Sequence, residues 1–202
     1  LRTCAGLVRP LSGHIIVNGH ELTGKSYHVF EQNGVGFLPA SRLEEGLIPG
    51  LTLNEHFILS KDSKKIFIDW EKGYSQTQER IISYNIQGKA DSLVEALSGG
   101  NQQRAMLALL SESLSIILLE HPTRGLDIES DIYIWGKLRE RCQQGSTIIF
   151  ISSDLEEILR YSDSVLVFFS GQVSPKIGVN TTDIEQLGQL IGGKGWSEVL
   201  PK

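Results

Sequence analysis

Three short apolar runs in the second half of the chain, SIILLE (115–120), STIIFIS (146–152) and SVLVFF (164–169), do most to limit what it can fold into. Each is apolar on both faces, the pattern of a central strand covered by helices on either side. Between the first two, Ile128, Ile132, Trp135, Leu138 and Cys142 recur at three- and four-residue spacing, which predicts a helix. DLEEILRYSD carries Leu155, Ile158 and Leu159 on one side of a second, short helix. Strands and helices alternating in this way predict an α/β fold with a mostly parallel sheet.

Residues 51–96 break the rhythm. They are polar, LTLNEHFIL and TQERIISYNI read as helices, and no buried strand is evident, so a helical subdomain inserted into the α/β part is expected. The tail after Gly171, with TTDIEQLGQLIGG as a final helix, is expected to be peripheral. The chain opens at Leu1 with LRTCAGL, which reads as the tail of a helix and points to an N-terminus that continues upstream. Acidic residues number 24 against 19 basic ones, so the basic footprint of a duplex-binding domain is missing. Cys4 and Cys142 are too few and too far apart for a disulfide framework or a zinc site. No stretch has the length and apolarity of a membrane-spanning helix, and no signal peptide is visible, so any membrane role runs through a partner.

The octet GHELTGKS, Gly19 to Ser26, satisfies the phosphate-loop pattern G-x-x-x-x-G-K-[ST] at every position. A phosphate loop must open a helix several turns long, whose N-terminus holds the phosphate. After Ser26 only YHVFEQ precedes Asn33-Gly34, a helix-stop signal, which leaves less than two turns. A hairpin end and a loop is the expected structure, with Lys25 outside the chemistry.

LSGGNQQRAMLALL (97–110) is more informative. Ser98 suits a helix cap, Gly99 and Gly100 let backbone N–H groups approach a ligand, and Ala105, Met106, Leu109 and Leu110 mark one apolar face. A helix start of this kind receives anions, although SGG alone is equally a plain capped helix.

The full string LSGGNQQR resembles the signature motif of ATP-binding cassette (ABC) ATPases. SIILLEHPTRGLD resembles the family's Walker B strand running through a proline turn into the D-loop. STIIFISSDLEEILRYSDSVLVFFSGQV resembles the switch strand, its helix and the closing strand pair, and GFLPASRLEEGLIPGLTLNEHFIL the Q-loop region. The likeness covers nearly the whole chain and is strongest to the second cassette of tandem ATPases that power bacterial sugar and nucleoside importers. It implies a P-loop NTPase-like fold, one cassette over 1–202 with its helical subdomain at 51–96, and a Walker A motif that would lie before Leu1. It also implies ATP and Mg²⁺ as cofactors, with a second cassette, fused or separate, as partner. Transmembrane permease subunits and, indirectly, a solute-binding protein follow as further partners, with no nucleic acid. The implied location is cytoplasmic, on the inner face of the plasma membrane.

The resemblance also exposes departures. The family's Walker B strand ends Asp-Glu, where this chain has Glu120 and His121. Glu120 keeps a charge on a longer arm and is the candidate magnesium contact. An imidazole is a base near neutral pH, but His121 lacks the carboxylate's geometry and reads equally as structural. The switch-histidine position is Ser153 and the Q-loop glutamine position is Ala40. The expectation is therefore asymmetric. Ser98, Gly99, Gly100 and Gln103 complete a partner cassette's ATP site, Asp127 of the D-loop couples the two sites or simply caps a helix, and the chain's own site is degenerate. Alternatives left open are a non-catalytic regulatory module, a kinase or GTPase using GHELTGKS, and a repair or translation ATPase of the same superfamily.

Overall fold

Glycines set the start of the chain. In the computed structural model, which describes residues 1–60 and 68–196, two compact units are distinguished, Leu1–Ile151 and Ser152–Lys202. The first begins with one helical turn that ends at Gly6 (φ +73°), where a Cβ would lie 2.5 Å from the Phe30 ring. Only glycine fits both the backbone angle and the space. Strands β1 (Ile16–Val17) and β2 (His20–Glu21) then form an antiparallel hairpin through Asn18 (φ +50°) and Gly19 (φ +81°). That residue pair is the one a tight type I′ turn demands. Helix α1 (Tyr27–Gln32) is six residues long, and Lys25 and Ser26 ahead of it are exposed. The octet is thus a hairpin end and a loop, as its neighbours imply.

Strand β3 (Val35–Leu38) leads through a wide turn, Arg42–Gly46, into helices α2 (Leu53–Leu59) and α3 (Trp70–Ser83). Thr52 and Glu55 cap α2 reciprocally: Thr52 Oγ1 accepts the Glu55 N–H at 3.2 Å, and Glu55 accepts the Thr52 N–H at 2.7 Å. Buried His56 ties α2 to the loop before it, Nε2 accepting from the Ile48 N–H and Nδ1 lying 2.8 Å from the Thr52 carbonyl. These helices supply the expected helical stretch, of which residues 61–67 lie outside the described residues.

Helix α4 (Gly99–Leu109), strand β4 (Ile116–Glu120), helix α5 (Ile128–Gln143) and strand β5 (Thr147–Ile151) complete the unit. The sheet runs β3-β4-β5, all parallel, with β4 in the centre. Ile117, Leu118 and Leu119 are at most 1% exposed, so β4 is buried on both faces as its sequence predicts. β5 differs. It is the edge strand here, and Ile149 and Ile151 face outward at 45% and 43% exposure while Phe150 meets Trp135 edge-on. On α5 the buried side is Ser130, Ile134, Trp135, Leu138 and Arg141, while Ile128, Ile132 and Cys142 are exposed. The helix is rotated from the face that its isoleucines alone suggest, because its first turn packs against α4 through small Ser130.

The second unit holds helix α6 (Leu155–Tyr161), strands β6 (Ser164–Val165), β7 (Phe168–Phe169), β8 (Gln172–Val173) and β9 (Ile177–Gly178), and helix α7 (Ile184–Ile191). β6 pairs with β9 and β7 with β8, both antiparallel. SVLVFF is therefore no central parallel strand. The run is split at Val167, whose N–H is taken by Ser174 Oγ at 3.0 Å, and Phe168 is 74% exposed. Leu155, Ile158 and Leu159 pack together, as expected, against Val167, Leu187, Leu190 and Trp196.

Phe30, fully buried beneath Gly6, anchors the segment that contains the octet. Phe30→Ala is expected to cost about 3–5 kcal/mol. Lys25→Ala should stay within about 0.5 kcal/mol and leave ATP binding by the full-length protein unchanged. Denaturant unfolding and nucleotide titration of both variants check this.

Candidate functional site

Helix α4 begins where the sequence places its cap. Ser98 Oγ accepts from the Asn101 N–H at 3.4 Å and from Asn101 Nδ2 at 2.8 Å, and Ser98 remains exposed. The N–H groups of Gly99 and Gly100 have no carbonyl partner within their own helix, as at any helix start. Gly100 lies against the first turn of α5: a Cβ there would sit 2.4 Å from Ser130 Oγ. Two helix N-termini thus come side by side, and their dipoles point partial positive charge at the same place.

Asp127 caps α5, its two carboxylate oxygens accepting the Ser130 N–H and hydroxyl, each at 2.9 Å. The backbone hydrogen bond and then the hydroxyl hold the Asp127 carboxyl below its usual range. The helix-cap reading of Asp127 is therefore met in the structure, and its carboxylate stays exposed in the loop before α5.

Arg42, which sequence reasoning missed, organises this corner. Its Nε donates to Gln103 Oε1 at 3.1 Å, its Nη2 donates to the Arg124 carbonyl, and its Nη1 would lie 3.2 Å from a Cβ on Gly99. Burial lowers the Arg42 pKa. Gln103 is only 2% exposed, so it sits beneath the helix start rather than on its surface. Its amide Nε2 is buried without a hydrogen-bond partner. Arg104 is likewise drawn inward, donating to the Asn85 carbonyl at 2.7 Å and stacking 4.1 Å from the Tyr133 ring.

The second cluster lies at the end of β4. Glu120 is 8% exposed and receives a two-pronged arginine: Arg2 Nε to Oε1 at 3.0 Å and Nη2 to Oε2 at 2.8 Å. The same guanidinium grips Glu45, from Nη1 at 2.9 Å and Nη2 at 2.8 Å. Hydrogen bonds to Glu120 and then Glu45 raise the Arg2 pKa, and those from Arg2 lower that of Glu45. His121 follows with φ +48°, its N–H bonded to the Ile151 carbonyl at 2.9 Å. A cleft of about 600 Å³ opens beside Arg2 and Glu45, but Phe37, Met106, Leu109, Leu110 and Leu114 give it a mainly apolar wall.

Residues 1–124 match the family described as ABC transporter. The chain belongs to the ABC transporter family. It is 34% identical over 201 residues to the ribose import ATP-binding protein RbsA of Streptococcus agalactiae, covering 96% of this chain and 41% of that one. It is 29% identical to the nucleoside import ATP-binding protein NupA of Lactococcus lactis, over 98% and 40% of the two chains. The chain thus spans about two fifths of the length of these relatives. Among solved structures, the ATP-binding subunit of an ABC transporter superposes with a TM-score of 0.68 at 22% identity, over 96% and 76% of the two chains. A dimeric ATP-binding cassette in a post-hydrolysis state, bound to ADP and Pi, gives 0.71 at 21% identity, over 88% and 78%. The fold is that of a P-loop NTPase-like cassette.

Within this ABC cassette the family's magnesium does not fit at Glu120. Both of its oxygens are engaged by Arg2, and no group of three or more His, Cys, Asp or Glu among the described residues is placed to hold a metal ion. Ala40, just past β3, and Ser153, exposed in the second unit, carry neither amide nor imidazole. Among the described residues no helix is long and apolar enough to cross a membrane.

Gly100→Ala is expected to destabilise the fold by about 1–3 kcal/mol, because buried Ser130 is held in place by Asp127. Gly99→Ala should cost less, since its nearest neighbour, the Arg42 guanidinium, would lie 3.2 Å from the new Cβ against 2.4 Å for Ser130 at Gly100. Paired denaturant melts compare the two. Asp127 has a second signature. With its folded pKa below the ordinary 3.8, its stabilisation is complete above the unfolded value and lost as pH falls through the folded one. The Tm gap between wild type and Asp127→Ala should hold steady near neutral pH and close in acid.

Proposed function

We propose that this chain is an ATP-binding cassette of an importer for a sugar or nucleoside, acting as the asymmetric member of a cassette pair. The observation that carries the reading is the α4 start, where Ser98, Gly99 and Gly100 stand beside the capped first turn of α5. Phosphate oxygens held by a partner cassette would meet the Ser98 hydroxyl and unpaired backbone N–H groups there, in the field of two helix dipoles. Gln103 acts indirectly, fixing Arg42 beneath the turn. Asp127 keeps the facing loop in shape and lies at the surface through which the cassettes would communicate.

The chain's own site would hold nucleotide without turning it over. Activating the attacking water needs a carboxylate or an equivalent base placed on it. His121 replaces that carboxylate, Ala40 and Ser153 withhold the two other polar side chains, and Glu120 is engaged by Arg2. Hydrolysis then belongs to the site this chain completes. The partners under this reading are a second cassette, fused or separate, and transmembrane permease subunits, with a solute-binding protein acting indirectly. Residues 1–202 form one cassette whose helical subdomain, 51–96, faces the permease. The protein sits on the cytoplasmic face of the plasma membrane through that permease.

The Arg2–Glu120 contact also favours a second reading, a regulatory cassette-like module that neither hydrolyses ATP nor completes a partner's site. One experiment separates them. In the full-length protein, Ser98→Arg should lower ATP turnover at least tenfold while costing only about 1 kcal/mol from the lost cap. Unchanged turnover would leave the regulatory module standing. His121→Glu alone should raise turnover less than twofold, because Ala40 and Ser153 remain.

A further inference from the structure

We propose that Arg2 serves as a built-in cation at the end of β4, so that this cassette's own site takes its nucleotide free of divalent metal. The inference rests on the reading above only in that the site holds nucleotide. A divalent ion bound to Glu120 would have to displace a planar fork that contacts both carboxylate oxygens, at 3.0 and 2.8 Å. Bidentate arginine–carboxylate pairs are among the stronger charged contacts, because both hydrogen bonds are charge-assisted and geometrically matched.

The fork is itself braced. Its outer edge is held, on the exposed side, by Glu45 at 2.9 and 2.8 Å. An incoming metal would also meet the guanidinium's positive charge at close range, between two carboxylates that both already contact it, and among the described residues no third metal-binding side chain joins them. His121, the neighbour where the family has a second acid, adds no negative charge. A magnesium ion prefers several oxygen ligands in octahedral array, and while Arg2 is in place all four carboxylate oxygens of Glu45 and Glu120 are already engaged by it.

The test is site-resolved photolabelling of the full-length protein with 8-azido-ATP, with labelled peptides assigned to this cassette. Wild-type labelling here should change less than twofold between excess EDTA and millimolar Mg²⁺. In Arg2→Ala the freed Glu120 makes the site metal-dependent, and labelling in EDTA should fall at least tenfold and return with Mg²⁺. Label lost from the wild type in EDTA would overturn the inference alone, as would Arg2→Ala behaving like the wild type. No label on this cassette in either condition would overturn the nucleotide-holding reading as well. Should Arg2→Ala fail to fold, paramagnetic resonance of Mn²⁺ with the wild type decides. Bound Mn²⁺ should fall one short of bound nucleotide per full-length chain, and equal numbers would refute the proposal.

Discussion

Strand β4 is buried on both faces, and its last residue carries a carboxylate. A carboxyl group that is only 8% exposed needs hydrogen-bond partners from within the protein. Glu120 finds them 118 residues away, in the first helical turn of the chain. That contact fixes more than one residue. It pins the N-terminal turn to the centre of the sheet, and through Glu45 it orients the turn Arg42–Gly46. The other end of that turn supplies Arg42, which reaches Gln103 and the backbone before α5. One short segment therefore serves both charged corners of the unit, with Glu45 at β4 and Arg42 beneath the signature helix.

The two corners have opposite electrostatic character. At the end of β4 one guanidinium is shared by two carboxylates, so every carboxylate oxygen of Glu45 and Glu120 already meets Arg2. At the start of α4 the donors outnumber the acceptors: helix N–H groups and a serine hydroxyl sit above a partly buried guanidinium. A site already satisfied from within contributes little to chemistry, whereas unspent donors at a surface need a ligand from outside. This contrast gives the proposed asymmetry a physical basis that the substitutions at His121, Ala40 and Ser153 only hint at.

Much of this was legible in the sequence, and the failures share a cause. Period and cap chemistry found β4, α4 and α6, and the stop signal at Asn33-Gly34 found the short α1, because those signals are local. SVLVFF misled because apolar runs do not report pairing: a single serine, Ser174, diverts the Val167 N–H and splits the run into two hairpin strands. The α5 face was misjudged for a similar reason, since Gly100 requires small Ser130 at the contact and so turns Ile128 and Ile132 outward. Gln103 looked like a ligand from its place in the motif, yet its depth depends on how α4 packs. Arg2 and Arg42 gave no local signal at all. Both bond to partners at least 40 residues away along the chain, apart from nothing that a window could detect.

The octet and the signature make the same point from opposite sides. GHELTGKS has every letter of a phosphate loop, but its Gly19 completes a hairpin turn with Asn18, His20 and Glu21 form β2, and α1 stops after six residues. A dipole that short, behind an exposed lysine, cannot anchor a triphosphate against water. LSGG has fewer defining letters, yet it opens an eleven-residue helix buried along most of its length, so its N-terminus is rigid and its N–H groups stay aimed. Anion binding depends on that support. Under the proposed reading, the chemistry belongs where the core holds a helix end still.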